Sequence, residues 1–218
     1  MPRVPVRPLV RSTTSRTEAF SDGVFAIAVT ILVLDLATPA HPPGGLGRAL
    51  GHLWPAYLGY VASFSYIAVI WLNHHQIFMG IRTMDRGLHA ANFFLLMTTS
   101  ALAFPTAVVS EALGEDLTGK DARVAVALYA GISAAMCLSW TSLYVHLGRH
   151  PELLDDSVES AYVRSGVSRS WVGMVLYVAA GVLGALVTPL IALAVFVLLP
   201  AFYFLSSSSV VAEEEEAA

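Results

Sequence analysis

Charged residues are scarce in this chain. Asp, Glu, Lys and Arg make up 13% of its 218 residues, whereas a typical soluble domain carries about 25%. Hydrophobic residues account for 56% of the sequence, and the mean hydropathy is +0.67. This balance argues against a soluble globular domain and indicates a membrane protein. Basic clusters interleaved with aromatic residues are also missing, so the sequence gives no sign of a nucleic-acid partner.

Other absences narrow the function. The single cysteine, Cys137, lies in an apolar stretch and cannot form an intrachain disulfide, so we interpret it as a small buried hydrophobic residue. The chain has no EF-hand loop or P-loop, which argues against calcium or nucleotide control. No predicted span carries arginine at every third position, which argues against voltage sensing. Residues 1–15 are rich in Pro and Arg without an apolar core, so we predict a retained cytoplasmic N-terminal segment rather than a signal peptide.

What the sequence does have is long apolar runs, and a bilayer core takes about 20 helical residues to cross. Four predicted spans lie at approximately residues 17–37, 53–78, 88–109 and 124–147. The last apolar block, residues 171–205, has 35 residues, or about 52 Å of helix. Because this is too long for one crossing, we predict two short spans that meet near Thr188 and Pro189. Pro105 is expected to kink the end of the third span.

These runs predict an all-α, polytopic membrane protein with six transmembrane helices in one unit, residues 16–206. The connecting segments are predicted at residues 38–52, 80–87, 110–123 and 148–170. The last of them is the longest polar stretch, and we expect it to hold a short interfacial helix. Residues 207–218 form an acidic tail with four consecutive glutamates, which we interpret as a solvated end without assigned chemistry.

The basic residues predict the orientation. If the N-terminus lies inside, nine of the twelve Lys and Arg residues fall in inner segments, which is a clear positive-inside bias. The nine are Arg3, Arg7, Arg11, Arg16, Arg82, Arg86, Arg149, Arg164 and Arg169. Six spans then place both termini in the cytoplasm of a protein in the cell membrane.

The first span, from Arg16 to Asp35, carries the main candidate site. Ile27, Ile31 and Leu34 share one helix face, with Thr30 at its edge as the only hydroxyl in residues 24–34. Asp22 opens the apolar run and lies about 140° around the helix from Ile27. If the apolar stripe faces a central axis, Asp22 therefore faces neighbouring helices and serves as an anchor. Spacing alone favours a stripe that packs against lipid or other helices, whereas the lone hydroxyl of Thr30 favours a pore-lining role.

A second group of polar and aromatic residues closes the second span. It consists of Trp71, Asn73, His74, His75 and Phe78. Adjacent histidines on a helix point about 100° apart, so they are poor ligands for one metal ion. No further Cys or His follows with convincing spacing, His89 being the nearest candidate. We expect one histidine to bond a buried polar group and the other to lie at the interface. In a more specific version, His74 or His75 reaches Ser21 and Asp22.

The pattern Arg16-x-x-x-Phe20-Ser21-Asp22-Gly23 resembles the R-x-x-x-F-S-D-G signature of the transmembrane protein 175 potassium-channel family. The His74-His75 pair after Trp71 also looks like the end of that family's second helix. The resemblance extends over the whole chain as one six-span unit. It implies a prokaryotic type of member, in which four copies form a homotetramer and the first helices line a central pore.

The resemblance also implies roles for particular residues. Like this sequence, the family lacks a T-V-G-Y-G filter loop, and its ion path is closed by bulky apolar residues on the first helix. The constriction position falls on Ile27, with Ile31 and Leu34 continuing the wall, and the selectivity hydroxyl falls on Thr30. A structural network is implied for the signature residues and the histidine pair, namely Arg16, Phe20, Ser21, Asp22, Gly23, His74 and His75. No cofactor and no resident metal are implied, with K+ as a permeant ion that passes near Thr30.

Three functions remain open from the sequence. The first is a potassium-selective leak channel with a hydrophobic constriction. The second is a proton channel or proton-coupled transporter that uses Asp22 and the His74/His75 pair, since chains of carboxylate and imidazole groups can relay protons. The third, a membrane-embedded enzyme with His74 and His75 as metal ligands, is disfavoured because no further ligands follow at usable spacing.

Overall fold

The computed structural model describes residues 14–200, and this part of the chain is built from helices and short connections. The helices are α1 (Thr14–Ile31), which continues as the 3-10 helix Leu32–Asp35, α2 (Leu46–His52), α3 (Trp54–Met79), α4 (Arg86–Ser100), α5 (Ala103–Glu115), α6 (Lys120–Arg149), α7 (Ser160–Leu186) and the short α8 (Pro189–Pro200). A further 3-10 turn covers Pro151–Leu153. Strand pairing in the described residues is limited to one isolated bridge between Ile81 and Leu154.

Five helical segments within residues 14–200 are long and apolar enough to cross a membrane. They are Thr14–Asp35, Trp54–Met79, Arg86–Glu115, Lys120–Arg149 and Ser160–Leu186. The described part of the helix Pro189–Pro200 covers about 18 Å of axis, less than the thickness of a bilayer core. The prediction of six spans is therefore not confirmed. The end of the predicted last span and the acidic tail, residues 207–218, lie outside the described residues.

The predicted boundaries of the last apolar block are partly wrong. A single helix, α7, begins at Ser160 and includes residues 160–170, the second half of the segment that was expected to form a polar connection with its own interfacial helix. Its first turns are amphipathic: Val163 and Gly166 are buried, whereas Arg164 is exposed. This helix ends just before Thr188 and Pro189, where the break was expected, because proline supplies no N–H and restricts the residue before it.

A guanidinium group closes the end of α7 at this break. The Arg123 side chain on α6 donates hydrogen bonds to the carbonyl oxygens of Ala185, Leu186 and Val187 at 2.9, 3.1 and 3.0 Å. The last carbonyls of a helix have no partner within the helix. Arg123 thus satisfies them and places positive charge at the negative end of the helix dipole.

Pro105 interrupts the third predicted span earlier than expected. The break lies at Ala101 and Leu102, between α4 and α5, rather than near the end of the span. A proline ring clashes with the carbonyl four residues before it, and that residue is Ala101. The sequence also failed to predict α2, which lies in the Pro- and Gly-rich connection between the first two spans.

Turns at one end of the bundle, which we call the Arg82 end, are tied together by backbone hydrogen bonds. The Arg82 amide donates to the Leu153 carbonyl at 2.9 Å, and the Asp155 amide donates to the Gly80 carbonyl at 2.8 Å. The Thr14 hydroxyl at the start of α1 donates to the Ile81 carbonyl at 2.8 Å. The start of α1 is therefore held by the same turns that connect α3 to α4 and α6 to α7.

Asp85 caps the N-terminus of α4 at this end. Its Oδ1 accepts a hydrogen bond from the Leu88 amide at 2.7 Å, and the His146 ring lies 2.9 Å away. Burial raises the pKa of Asp85, but the hydrogen bonds from Leu88 and His146 outweigh burial and hold that pKa below its usual value of 3.8. The carboxylate is therefore ionised at neutral pH, the form that an N-cap favours.

Helices α6 and α7 pack closely, and Gly181 marks a point of direct approach. A Cβ atom at Gly181 would lie 2.5 Å from the Cβ of Ala130 on α6. Small residues at helix interfaces in membranes allow this kind of backbone approach. The two helices can approach this closely because glycine at position 181 has no side chain.

We expect Gly181→Ala to lower the melting temperature of the purified protein in detergent, because the added methyl group forces the helices apart at a cost of about 1–3 kcal/mol. Gly131→Ala on α6 is the matched control, since a Cβ there meets nothing within 4 Å. That control should be neutral or stabilising by up to about 1 kcal/mol, because alanine is the better helix former. Equal effects of the two substitutions would contradict this account of the interface.

Candidate functional site

The first helix has two apolar faces with different surroundings. Phe25, Ala28 and Leu32 are buried against the rest of the chain. Ile27 and Leu34 are 60% and 74% exposed. Ile31, between them, is 43% exposed. We call Ile27, Ile31 and Leu34 the outer stripe, and residues 14–200 leave it largely uncovered.

Thr30 lies beside this stripe and is also exposed. Its hydroxyl donates a hydrogen bond to the carbonyl oxygen of Ile27 at 2.9 Å. The hydroxyl hydrogen therefore points along the helix, and the lone pairs of the oxygen remain free to accept. This geometry gives the outer stripe one electron-donating oxygen.

A hydrogen-bond chain anchors the opposite side of α1. Asn92 on α4 donates from Nδ2 to the Ser21 hydroxyl at 3.0 Å, and Asn92 Oδ1 lies 2.9 Å from His74 Nε2 on α3. The Ser21 hydroxyl donates onward to the Thr17 carbonyl at 2.9 Å. All three side chains are fully buried. We call this the Ser21–Asn92–His74 chain, and it joins the three helices α1, α3 and α4.

The direction of this chain fixes the tautomer of His74. The amide oxygen of Asn92 can only accept, so Nε2 of His74 carries the proton. The ring stacks on Phe78 with centroids 3.9 Å apart and meets the edge of Phe25 at 5.1 Å. Nδ1 of His74 is buried, and no hydrogen-bond partner for it lies among the described residues. The imidazole is therefore held by one polar contact and two aromatic walls.

Asp22 has a different partner from the one expected. Its Oδ1 accepts a hydrogen bond from the indole Nε1 of Trp71 at 2.9 Å, and the side chain is only half-buried. His75 contacts Glu18 at 3.2 Å instead. In the described residues, the expectation that a histidine directly reaches Ser21 or Asp22 is therefore corrected: Asn92 connects His74 to Ser21, and Trp71 bonds Asp22.

The remaining signature residues lie mostly on the surface of α1. Arg16 and Gly23 are exposed, and Phe20 meets the edge of Phe93 on α4 with ring centroids 5.9 Å apart. Asn73 on α3 donates to its own helix at the Val69 carbonyl. Of the signature residues, Ser21 points into the helix bundle, whereas the others lie at the edge of the bundle.

Asn92 and Glu18 were missed by the sequence analysis. Asn92 is an amide inside the predicted third span, and a polar group in an apolar span must find an internal partner. That signal was present in the sequence. It did not identify the partner, because spacing along one helix says nothing about which residues of other helices lie opposite.

Comparisons with known proteins decide the family. A family model described as the endosomal/lysosomal potassium channel TMEM175 matches residues 16–102. A protein of Streptomyces collinus named as a potassium channel is 43% identical over 165 residues, which cover 75% of this chain and 79% of that protein. The chain belongs to the TMEM175 family.

Other TMEM175 relatives support the same family and fold. A potassium channel of Chamaesiphon minutus is 39% identical over 173 residues, covering 78% of this chain and 83% of the relative. The crystal structure of a lysosomal potassium-selective channel TMEM175 homolog from Chamaesiphon minutus superposes with a TM-score of 0.77 at 35% identity, covering 89% of this chain and 97% of that chain. The protein is therefore a membrane protein with the all-helical TMEM175 channel fold.

Animal TMEM175 proteins match over a smaller part of their length. The bovine protein, named as an endosomal/lysosomal proton channel, is 37% identical over 98 residues, which cover 41% of this chain and 19% of that protein. The family model ends at Leu102, at the break between α4 and α5. The matched region therefore contains the outer stripe and the whole Ser21–Asn92–His74 chain.

We expect Asn92→Ala to destabilise the protein strongly. The substitution leaves the Nε2–H of His74 buried without an acceptor, at about 1–3 kcal/mol. It also removes the amide that donates to Ser21, whose hydroxyl still donates to the Thr17 carbonyl. The measurement is the melting temperature of the purified protein in detergent.

His75→Ala is the control for this prediction. The His75–Glu18 pair is partly exposed, with side-chain exposures of 43% and 26%, so its loss should cost less than about 1 kcal/mol. If Asn92→Ala were as mild as His75→Ala, the buried chain would not be what holds α1.

Proposed function

We propose that this chain is the subunit of a potassium-selective leak channel whose pore is lined by the outer stripe of α1. The observation that carries the proposal is the uncovered stripe on a helix whose other side is firmly anchored. Exposed apolar side chains on a membrane helix face either lipid or another subunit. The potassium-channel names of the bacterial relatives favour the second alternative.

Ile27 is the proposed constriction. A ring of Ile27 side chains from several copies narrows the pore and disfavours water at that level, so the pore closes by dewetting. Ile31 and Leu34 continue the apolar wall toward the other side. Leu34 lies in the 3-10 segment, where residues three apart are eclipsed, so it stays in line with Ile31.

Thr30 is the proposed selectivity hydroxyl. Its hydrogen is engaged by the Ile27 carbonyl, so a ring of Thr30 oxygens presents lone pairs to a passing K+ and replaces part of its hydration shell. K+ acts here as the permeant ion, and the proposal requires no cofactor.

The proposed assembly is a homotetramer in the cell membrane, with four copies of α1 around the axis. Family resemblance supports the copy number, and the excess of Lys and Arg in predicted inner segments supports a cytoplasmic location for the Arg82 end. A sixth span would require α8 to continue beyond Pro200. Both termini are then cytoplasmic.

We expect Ile27→Asn to raise sodium permeation and reduce the preference for potassium, because a polar ring wets and widens the constriction. Flux into liposomes that contain the purified protein, driven in turn by potassium and sodium gradients, measures the ratio. Val175→Asn on α7 is the matched control, since Val175 is 59% exposed against 60% for Ile27. That variant should keep the wild-type ratio.

Thr30→Val tests the hydroxyl in the same assay, because valine keeps the shape and removes the oxygen. Loss of potassium preference with flux retained is the expected result. An unchanged ratio in both Ile27→Asn and Thr30→Val would show that the outer stripe does not line the pore and faces lipid.

A second candidate function is proton conduction or proton-coupled transport through Asp22 and the His74/His75 pair. The proton-channel name of the bovine relative favours it. In the described residues, however, Asp22 bonds Trp71, His74 bonds Asn92 and His75 contacts Glu18, so neither histidine is hydrogen-bonded to Asp22. A carboxylate–imidazole relay would therefore need an additional carrier between the two.

Asp22→Asn distinguishes the two functions. Under the potassium-channel proposal, an acid pulse across liposomes gives little dye response in the wild type, and Asp22→Asn leaves potassium flux within about twofold. A large wild-type proton flux that Asp22→Asn abolishes, in protein with an unchanged elution volume on size exclusion, would put proton conduction first.

A further inference from the structure

A group of three potential metal ligands lies at the Arg82 end, away from the outer stripe. Asp85 is at the start of α4, His146 is in the last turn of α6, and His150 follows that helix directly. One ligand atom from each residue lies within 4.8 Å of the others. We propose that Asp85, His146 and His150 bind a divalent transition-metal ion of the Zn2+ class, at a site separate from the ion path.

The donor set suits such an ion. Two imidazole nitrogens and one carboxylate oxygen are ligands that Zn2+ takes in proteins, with water completing four-coordination. His146 and His150 are four residues apart, the spacing that brings two side chains to one side of a helix. Their ring centroids are 4.6 Å apart. The sequence does not reveal this group, because Asp85 and His146 are 61 residues apart along the chain.

A small opening of the Asp85–His146 contact would admit an ion. Nε2 of His146 lies 2.9 Å from Oδ1 and 3.0 Å from Oδ2 of Asp85, and Oδ1 also accepts from the Leu88 amide. With bonds of about 2.0–2.2 Å, tetrahedral ligand atoms are separated by about 3.3–3.6 Å. Metal binding through Oδ2 thus needs an expansion of about 0.3–0.6 Å, while Oδ1 keeps the Leu88 amide and caps α4.

Glu152 orients the third ligand. Its Oε1 lies 3.1 Å from Nδ1 of His150, which leaves Nε2 as the ring nitrogen available to a metal ion. Metal-binding histidines commonly donate their other N–H to a carboxylate, which fixes the tautomer and the ring orientation. This contact is independent of the Asp85–His146 pair.

Gly87 makes space for the His146 ring. A Cβ atom at Gly87 would collide with Cε1 of that imidazole. Position 87 therefore accommodates the imidazole only because it carries no side chain. An ion at this site would join the start of α4, the end of α6 and the turn that follows it.

The experiment uses the full chain in detergent, purified without a polyhistidine tag and stripped of metal with a chelator. Calorimetric titration with Zn2+ should give one ion per protomer, and Co2+ should give the visible absorption of a tetrahedral site. Zn2+ should also raise the melting temperature, because it binds the folded state preferentially. These measurements do not depend on ion conduction, so they test the metal site independently of the proposed channel function.

Variants then assign the ligands. Asp85→Asn keeps an N-cap residue at α4 but removes the anionic ligand, and His146→Gln removes a nitrogen; each should weaken Zn2+ binding at least about tenfold. Glu152→Gln should weaken it about 10–100-fold. His52→Gln, an exposed histidine on α2, is the control and should bind like the wild type.

Absence of stoichiometric binding by the wild type would overturn the proposal. The same conclusion would follow if His146→Gln and His52→Gln bound Zn2+ equally. The melting temperature of each metal-free variant reports its folding, and Asp85→Asn and Glu152→Gln keep the test valid if His146→Gln fails to fold.

Discussion

The buried Ser21–Asn92–His74 chain is the interaction on which the rest of the site depends. In an apolar bundle there is no water to satisfy a stray hydroxyl, amide or imidazole, so each such group must find a partner within the protein. The three residues come from three helices, and their hydrogen bonds can all form in one relative arrangement of α1, α3 and α4. These hydrogen bonds therefore specify how the three helices are placed relative to one another, whereas apolar contacts alone tolerate small shifts between helices.

This anchoring decides what the other side of α1 presents. With Ser21, Phe25 and Leu32 turned inward, the outer stripe is necessarily turned away from its own bundle. Asp22 falls at the edge between the two faces, where Trp71 holds it. The signature and the stripe are thus linked: buried polar contacts fix the rotation of the helix, and that rotation sets which of its side chains stay exposed on the described part of the chain.

Much of the helical architecture could be predicted from apolar runs and prolines. The first, second and fourth spans lie close to their predicted positions, and the break before Pro189 is where it was expected. The errors have a common physical origin. The first turns of α7 look polar in sequence because their exposed face is charged, yet small residues such as Gly166 on the other face still pack into the bundle. Helix α2 was missed because Gly and Pro near it indicated a loop.

By itself, the sequence determined that the chain is a helical membrane protein, that Ile27, Ile31 and Leu34 share one face of the first helix, and that Asp22 points elsewhere. These are consequences of composition and of the helical repeat, which are local properties. Only the tertiary structure decided that Asn92 joins Ser21 to His74, that Trp71 rather than a histidine bonds Asp22, and that Asp85 meets His146. Such partners lie tens of residues apart, and only the packing of whole helices brings them to hydrogen-bonding distance.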